Sequence, residues 1–366
     1  MIATLEDVAK QSGFSIATVS RVVNGSEGVS SEVRQTVEQA VRELGYVTRR
    51  GRAHQALAQA ARRERLIEVI LHRRSTQENL QAAQQGVAIG PVTSASLDTV
   101  LSRGWELSND FYRTMLDGIL HELQVQGGKA IVQVVTDLSD PAVLAGLRED
   151  VDGVLVVGEG GPHLPAFLRG CRAPTVLVDI VHPAGGQEVV TTDNLAGIGQ
   201  AVEHLARLGH RRIGFVAGLD DPTTAERTQA FAYHVGNFGL AVPAEWSAVA
   251  YDSIVGTAAR LEPLLRRADR PTAVVACSDC GALSVLRAAG VCGLRIPQDL
   301  SVVGFDDMRF AALVTPPLTT VRVSAGAIGQ LAVRLVLTQG GRERGSVVRL
   351  PTQLIVRSST AAPHGS

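Results

Sequence analysis

From residue 66 onward the chain repeats one pattern, a run of six or seven mostly apolar residues followed by a longer stretch with helical spacing. The runs are LIEVIL (66–71), AIVQVV (130–135), GVLVVG (153–158), TVLVDI (175–180), RIGFVAG (212–218), TAVVAC (272–277) and SVVGFD (301–306). Runs this apolar do not alternate buried and exposed side chains, so both of their faces must be covered. That is the situation of a strand in a parallel sheet flanked by helices. FYRTMLDGILHELQVQG, NLAGIGQAVEHLARLG and GALSVLRAAG fit as helices between the runs. The expected architecture is α/β, with parallel sheets.

Open parallel sheets bind ligands beyond the C-terminal ends of their strands. The polar and aromatic residues just past the runs are therefore candidates for a small-molecule site. Asn109, Phe111 and Tyr112 follow the first strand, Asp193 and Asn194 a later one, and Thr223 and Arg227 follow RIGFVAG. Ser278 and Asp279 follow TAVVAC, and Asp306 ends SVVGFD. An Arg with Asp partners can donate to and accept from vicinal hydroxyls, while Phe or Tyr packs on the apolar face of a ring. Asp193 and Asp279 also precede helices, where a carboxylate caps free N–H groups, and both readings stand for them. Residues 72–106 are longer than expected between the first strand and the next helix, so LDTVL (97–101) competes with LIEVIL as the first strand.

Ahead of this repeat, residues 4–46 read as two short helices joined by a tight turn and then a longer helix. Thr4 caps the first helix with Asp7 as its reciprocal partner, and Gly13-Phe14 ends it. Ser15 caps the second. Val19, Val22 and Val23 fall on its buried side, leaving Ile16, Ala17, Thr18, Ser20 and Arg21 facing out. In a helix-turn-helix the second helix enters the major groove N-terminus first, where an Arg pairs with guanine and small side chains permit close approach to the bases. Asn24-Gly25 ends that helix, and Ser30 caps a third that runs to Leu44. The charge distribution agrees with this reading. The whole chain carries a net charge of -1, yet residues 1–65 hold ten Lys/Arg against seven Asp/Glu. The basic excess lies with the segment that would meet phosphates.

The string DVAKQSGFSIATVSRVVNG, followed by VS, a helix and ELGY, resembles the headpiece of the LacI/GalR family of transcription regulators. The resemblance implies base contacts at Ile16, Ala17 and Arg21, and phosphate contacts at Thr4, Ser15, Thr18, Ser20 and Asn24. It extends through HRRIGFVAG, RPTAVVACSD, IPQDLSVVGFDD and TPPLTTVR, and so implies a two-lobed effector domain similar to a periplasmic sugar-binding protein. Arg227 and Asp306 match the family's effector-contacting positions. Residues 47–65 contain six Arg and one Glu, and resemble the family hinge after an apparent insertion of about four residues. Ala61 stands where the family places a Leu wedge in the minor groove, and Leu57 lies one turn earlier on the same face.

Other chemistries find less support. No apolar run approaches the roughly 20 residues that span a bilayer, and the chain opens on a helix cap with no charged-then-apolar leader, so a cytoplasmic protein is expected. The nine His show no metal-binding spacing, and no P-loop, nucleophile elbow or complete dinucleotide fingerprint occurs. No metal or cofactor is expected. Cys277 and Cys280 form a CxxC across a strand end and a helix start, the main basis for a rival reading as a thiol redox sensor or enzyme. The expected layout is a headpiece over 1–46, a basic hinge over 47–65, a two-lobed effector and dimerisation domain over 66–358 and a tail over 359–366. The expected activity is that of a homodimeric repressor of operator DNA, controlled by a small sugar-like effector and free of any membrane.

Overall fold

The computed structural model describes residues 4–23, 29–44, 46, 65–72, 88–89, 109–181, 186–218, 221–246, 249–251, 253–338 and 345–363. The chain divides into two compact units, Met1–Glu64 and Arg65–Ser366.

In the first unit, α1 (Leu5–Ser12), α2 (Ile16–Val23) and α3 (Ser31–Leu44) enclose Val8, Ala9, Val19, Val22, Val37 and Ala40. The capping box is present: the Thr4 N–H donates to Asp7 Oδ2 at 2.8 Å and the Asp7 N–H to Thr4 Oγ1 at 3.3 Å. Gly13 closes α1 at φ 75°, a left-handed value that favours glycine. The Thr18 N–H donates to Ser15 Oγ at 3.2 Å, and the Val33 N–H to Ser30 Oγ at 3.4 Å, so both expected caps are in place. Gln11 ties α1 to α3 through Glu43 at 2.9 Å.

The second unit holds two sheets. The first lobe carries β1 (Arg65–His72), β2 (Ala88–Ile89), β3 (Gly128–Val135), β4 (Gly153–Gly158), β5 (Thr175–Val178), β6 (Glu188–Thr192) and β11 (Val347–Leu350) in the order β11-β6-β5-β4-β1-β3-β2. All its pairings are parallel except β2 with β3. The second lobe carries β7 (Ile213–Val216), β8 (Ala273–Ala276), β9 (Ser301–Asp306), β10 (Thr319–Arg322) and β12 (Gln353–Ile355), ordered β12-β10-β9-β8-β7 with only β12 antiparallel. LIEVIL is thus a central strand of the first lobe, while LDTVL lies outside the described residues. Val154 to Val157 and Val176 to Val178 are fully buried, as strands covered on both faces must be.

The chain crosses between lobes three times. It passes from β6 through α7 (Asn194–Arg207) to β7, back from β10 through α11 (Ala325–Thr338) to β11, and across again from β11 to β12. In the first lobe α11 packs on α4 (Asn109–Val125), where Gly118 lies against the backbone of Gly326 and Gly329 against that of Met115. A side chain at either glycine would hold the two helices apart.

Three expectations need correction. TVLVDI stops being a strand at Val178, because Asp179 takes a left-handed φ of 59°. RIGFVAG is strand only over Ile213–Val216. Residues from 359 are not simply a tail: the Ser359 hydroxyl donates to the Val302 carbonyl at 2.6 Å and accepts from the Thr319 N–H at 2.8 Å. The Ala361 carbonyl accepts from the Ser301 hydroxyl and pairs with the ring of the buried His210. Short polar residues there satisfy the sheet's own backbone groups, a role that composition does not reveal.

Candidate DNA-reading face and interlobe cleft

On the headpiece, α2 buries Val19 and Val22 and leaves Ile16, Ala17 and Arg21 exposed. Ile16 is 48% exposed. Thr4 and Ser15 keep their hydroxyls at the helix N-termini that they cap, and Thr18 Oγ1 lies 2.9 Å from Ser15 Oγ. Ser20 is half-buried on the same helix. Free N–H groups and polar caps at a helix start suit an anionic backbone. Asn24, Leu57 and Ala61 lie outside the described residues.

In the second unit the cleft is built around Arg227, on α8 (Pro222–Asn237). Its guanidinium is buried, lies 4.0 Å over the Phe305 ring, and reaches Asp306 Oδ1 at 3.4 Å. Its Nε donates to Asn194 Oδ1 at 2.8 Å and Nη1 donates to the Cys277 carbonyl. The α8 helix starts where it does because Asp221 accepts the Thr224 N–H at 2.9 Å and Pro222 occupies the first turn. Asp306 is held at φ 110°, strained for a residue with a side chain, where β9 turns out of its sheet. Burial lifts its carboxyl to about 6 against the opposing pull of Arg227.

Asp179, just past β5 in the first lobe, feels the charges of this pair. Burial pushes its carboxyl up to about 7, with Arg227 pulling down and Asp306 pushing further up, and its Oδ1 has no hydrogen-bond partner. A buried carboxylate oxygen without a donor is costly, and a ligand hydroxyl between the lobes would satisfy it. The sequence expectation omits Asp179, which falls within the TVLVDI run. An Asp inside an otherwise apolar run was the available signal.

The remaining expected residues divide. Asp193 Oδ1 accepts the Ala196 N–H at 3.0 Å, and Ser278 Oγ accepts the Gly281 N–H at 3.1 Å, so both cap helices. Asp279 is fully buried; Oδ1 accepts the Thr320 hydroxyl at 2.6 Å and Oδ2 the Met308 N–H at 2.7 Å. Both oxygens are engaged by groups of the second lobe, and burial raises its pKa well above the ordinary value, so Asp279 ties that lobe together. Thr223 is half-buried in the first turn of α8. Phe111 and Tyr112 meet edge to face at 5.3 Å and pack against the core. The side chain of Asn109 lies outside the described residues. Beside it Asp110, also missed, accepts the Arg309 N–H at 3.4 Å from the second lobe.

The thiols do not support redox chemistry. Cys277 and Cys280 are buried, and burial pushes the Cys277 thiol up to about 12, away from the thiolate that reactivity needs. Among the described residues no helix is long and apolar enough to cross a membrane.

Comparison with known proteins covers both units. The description "Bacterial regulatory proteins, lacI family" matches residues 4–49, and "Periplasmic binding protein-like domain" matches residues 202–360. The chain is 33% identical to the HTH-type transcriptional regulator MalR of Streptomyces coelicolor (strain ATCC BAA-471 / A3(2) / M145), across 100% of this chain and 98% of that protein. It is 30% identical to the HTH-type transcriptional repressor CytR of Escherichia coli (strain K12), across 98% and 97%. Among solved structures, a transcriptional regulator CelR–cellobiose complex superposes with a TM-score of 0.65 at 28% identity, over 98% of this chain and 99% of that one. The lac repressor dimer bound to operator and the anti-inducer ONPF shares the fold, with a TM-score of 0.65 at 24% identity over 99% and 100%. A helix-turn-helix unit, a two-lobed unit with a charged cleft and end-to-end similarity to such regulators lead to one conclusion: the chain belongs to the lacI family of bacterial regulatory proteins and is an HTH-type transcriptional regulator.

Proposed function

We propose that the protein is a repressor that binds a roughly palindromic operator as a homodimer and is controlled by a small, hydroxylated, sugar-like effector held between its lobes. The observation that carries the effector reading is the buried Arg227–Asp306 pair of one lobe together with Asp179 of the other, whose buried Oδ1 has no hydrogen-bond partner. One arginine with two carboxyls can bracket vicinal hydroxyls, donating on one side and accepting on the other. Two buried carboxyls against one arginine disfavour an anionic effector. The similarity to a cellobiose-bound regulator and to a repressor points the same way.

On the DNA side, Ile16, Ala17 and Arg21 read bases while Thr4, Ser15, Thr18, Ser20 and Asn24 meet phosphates. Residues 47–65 serve as the hinge, with Leu57 or Ala61 directed at the minor groove. The effector shifts the population of lobe arrangements and, through the dimer, the spacing of the two headpieces.

Thermal unfolding of the full chain against a panel of mono- and disaccharides, nucleosides, sugar phosphates and sugar acids tests the effector reading. A ligand at 100 times its dissociation constant adds about 2.7 kcal/mol. A panel in which only phosphorylated or carboxylated compounds stabilise the protein would overturn a neutral polyol site.

A further inference from the structure

Arg227 is oriented by Asn194, and Asn194 is itself oriented by Glu226 on α8. The Asn194 Nδ2 donates to Glu226 Oε2 at 2.6 Å, while its Oδ1 accepts from Arg227 Nε at 2.8 Å. An amide has one donating and one accepting end. With the carboxylate taking the donating end, the accepting end must face the arginine. Asn194 is fully buried, so no water competes for this assignment. The second oxygen of the same carboxylate, Glu226 Oε1, lies 3.3 Å from Arg349 Nη2. Arg349 is on β11 in the first lobe, on the strand between the second and third crossings. One carboxylate thus holds the support of the cleft arginine with one oxygen and the opposite lobe with the other.

We propose that Glu226 is a positioning residue that couples the setting of Arg227 to the placement of the first lobe through Arg349. The inference rests on the reading of Arg227 as an effector contact only for its functional meaning; the coupling is a property of the free protein. It does not depend on the strength of the Glu226–Arg349 pair, which is half-exposed and so worth little alone. It depends on that pair sharing a carboxylate with a buried amide. When Arg349 moves with its lobe, Glu226 is drawn from or returned to Asn194, and the Arg227 Nε–H gains or loses a fixed acceptor. Closure of the lobes then changes the geometry of the group at the centre of the cleft.

The test uses the full chain, without effector or DNA, labelled with 15Nε-arginine. The buried Arg227 Nε–H resonance is assigned by its loss in Arg227→Lys. In Glu226→Ala this resonance should shift and broaden. In Arg349→Met, a substitution on the other lobe, it should shift in the same direction by a smaller amount, and Arg349→Lys should restore the original position because the cation is kept. The double variant should match Glu226→Ala alone, since both changes act through one carboxylate. If Glu226→Ala fails to fold, Glu226→Gln takes its place and should behave like Arg349→Met, keeping an acceptor for Asn194 but no charge for Arg349. A resonance unmoved by Arg349→Met, or shifts that add in the double variant, would overturn the coupling. Neither result would touch the ligand panel, so the two readings fail separately.

Discussion

The headpiece and the interlobe cleft use polar side chains in opposite ways. In the headpiece the helix caps are local and exposed, Thr4 with Asp7 and Ser15 with Thr18, each three residues apart, and the longer Gln11–Glu43 tie is exposed too. In the cleft the pairs are distant and buried: Arg227 meets Asn194, Cys277 and Asp306 across separations of 33, 50 and 79 residues. A surface that must fit a DNA backbone keeps its groups hydrated until contact, so removing one leaves the fold nearly intact. A cleft that must grip a small neutral molecule desolvates its charges in advance, so its binding residues are also stability residues.

The largest expected effect follows from that contrast. Arg227→Met removes the cation that pairs with buried Asp306, and losing a partner in a buried charged pair costs about 3–5 kcal/mol. Urea unfolding of the full chain should show that loss, and any effector response of operator binding should vanish. A variant with wild-type stability would show that the cleft is hydrated like the headpiece face. Next comes pH. Asp179 carries a folded pKa of about 7 against an ordinary 3.8, chiefly through burial. Its contribution is fully present below the unfolded value and is lost as pH rises through the folded one. Stability should therefore fall between about pH 4 and 7, at no more than about 1.4 kcal/mol per pH unit for one proton. Asp306 and Asp279 are shifted in the same direction, so Asp179→Asn should reduce that slope without abolishing it, and a slope unchanged in the variant would place the titration on those two groups.

The same contrast decides how much could be read from the chain alone. Capping boxes, helix stops and exposed faces are patterns within four or five residues, so Thr4, Gly13, Ser15 and Arg21 could be placed without a structure. The strand runs were equally plain, since burial on both faces leaves a compositional trace. The cleft was legible only in part. Strand ends pointed to Arg227 and Asp306, but Asp179 was hidden by being counted within TVLVDI, and Glu226 is one acidic residue in a helix with no local sign of its role. Asp279 sits at a strand end like a ligand residue, yet its two oxygens accept from the Thr320 hydroxyl and the Met308 N–H. Those partners come from elements 29 and 41 residues away, beyond the reach of any local pattern.

On the headpiece side, Arg21→Ala should leave urea unfolding unchanged, because the side chain is exposed and buries no charge. It should weaken binding to the cognate operator by about 1–3 kcal/mol while sparing random DNA, as expected for a base contact. Fluorescence anisotropy on both duplexes separates the outcomes. Equal losses on the two would assign Arg21 to phosphate and leave base reading to Ile16 and Ala17.

The smallest effect probes whether the division between the two regions is complete. Thr4 is proposed as a phosphate contact, yet its hydroxyl accepts the Asp7 N–H and donates to Asp7 Oδ2 at 2.7 Å, which makes it a helix cap as well. Thr4→Ala should cost about 1 kcal/mol of headpiece stability through the lost cap. Thr4→Ser keeps both the cap and a hydroxyl for phosphate. The informative comparison is Thr4→Asp, which retains a capping oxygen but sets a negative charge against the DNA backbone. Its carboxylate would replace the hydroxyl that donates to Asp7 Oδ2, so it should cost headpiece stability about as Thr4→Ala does, while weakening operator and random DNA alike with a loss that shrinks as salt rises. If Thr4→Asp binds operator normally, Thr4 serves only the helix, and the headpiece face that meets phosphate begins at Ser15.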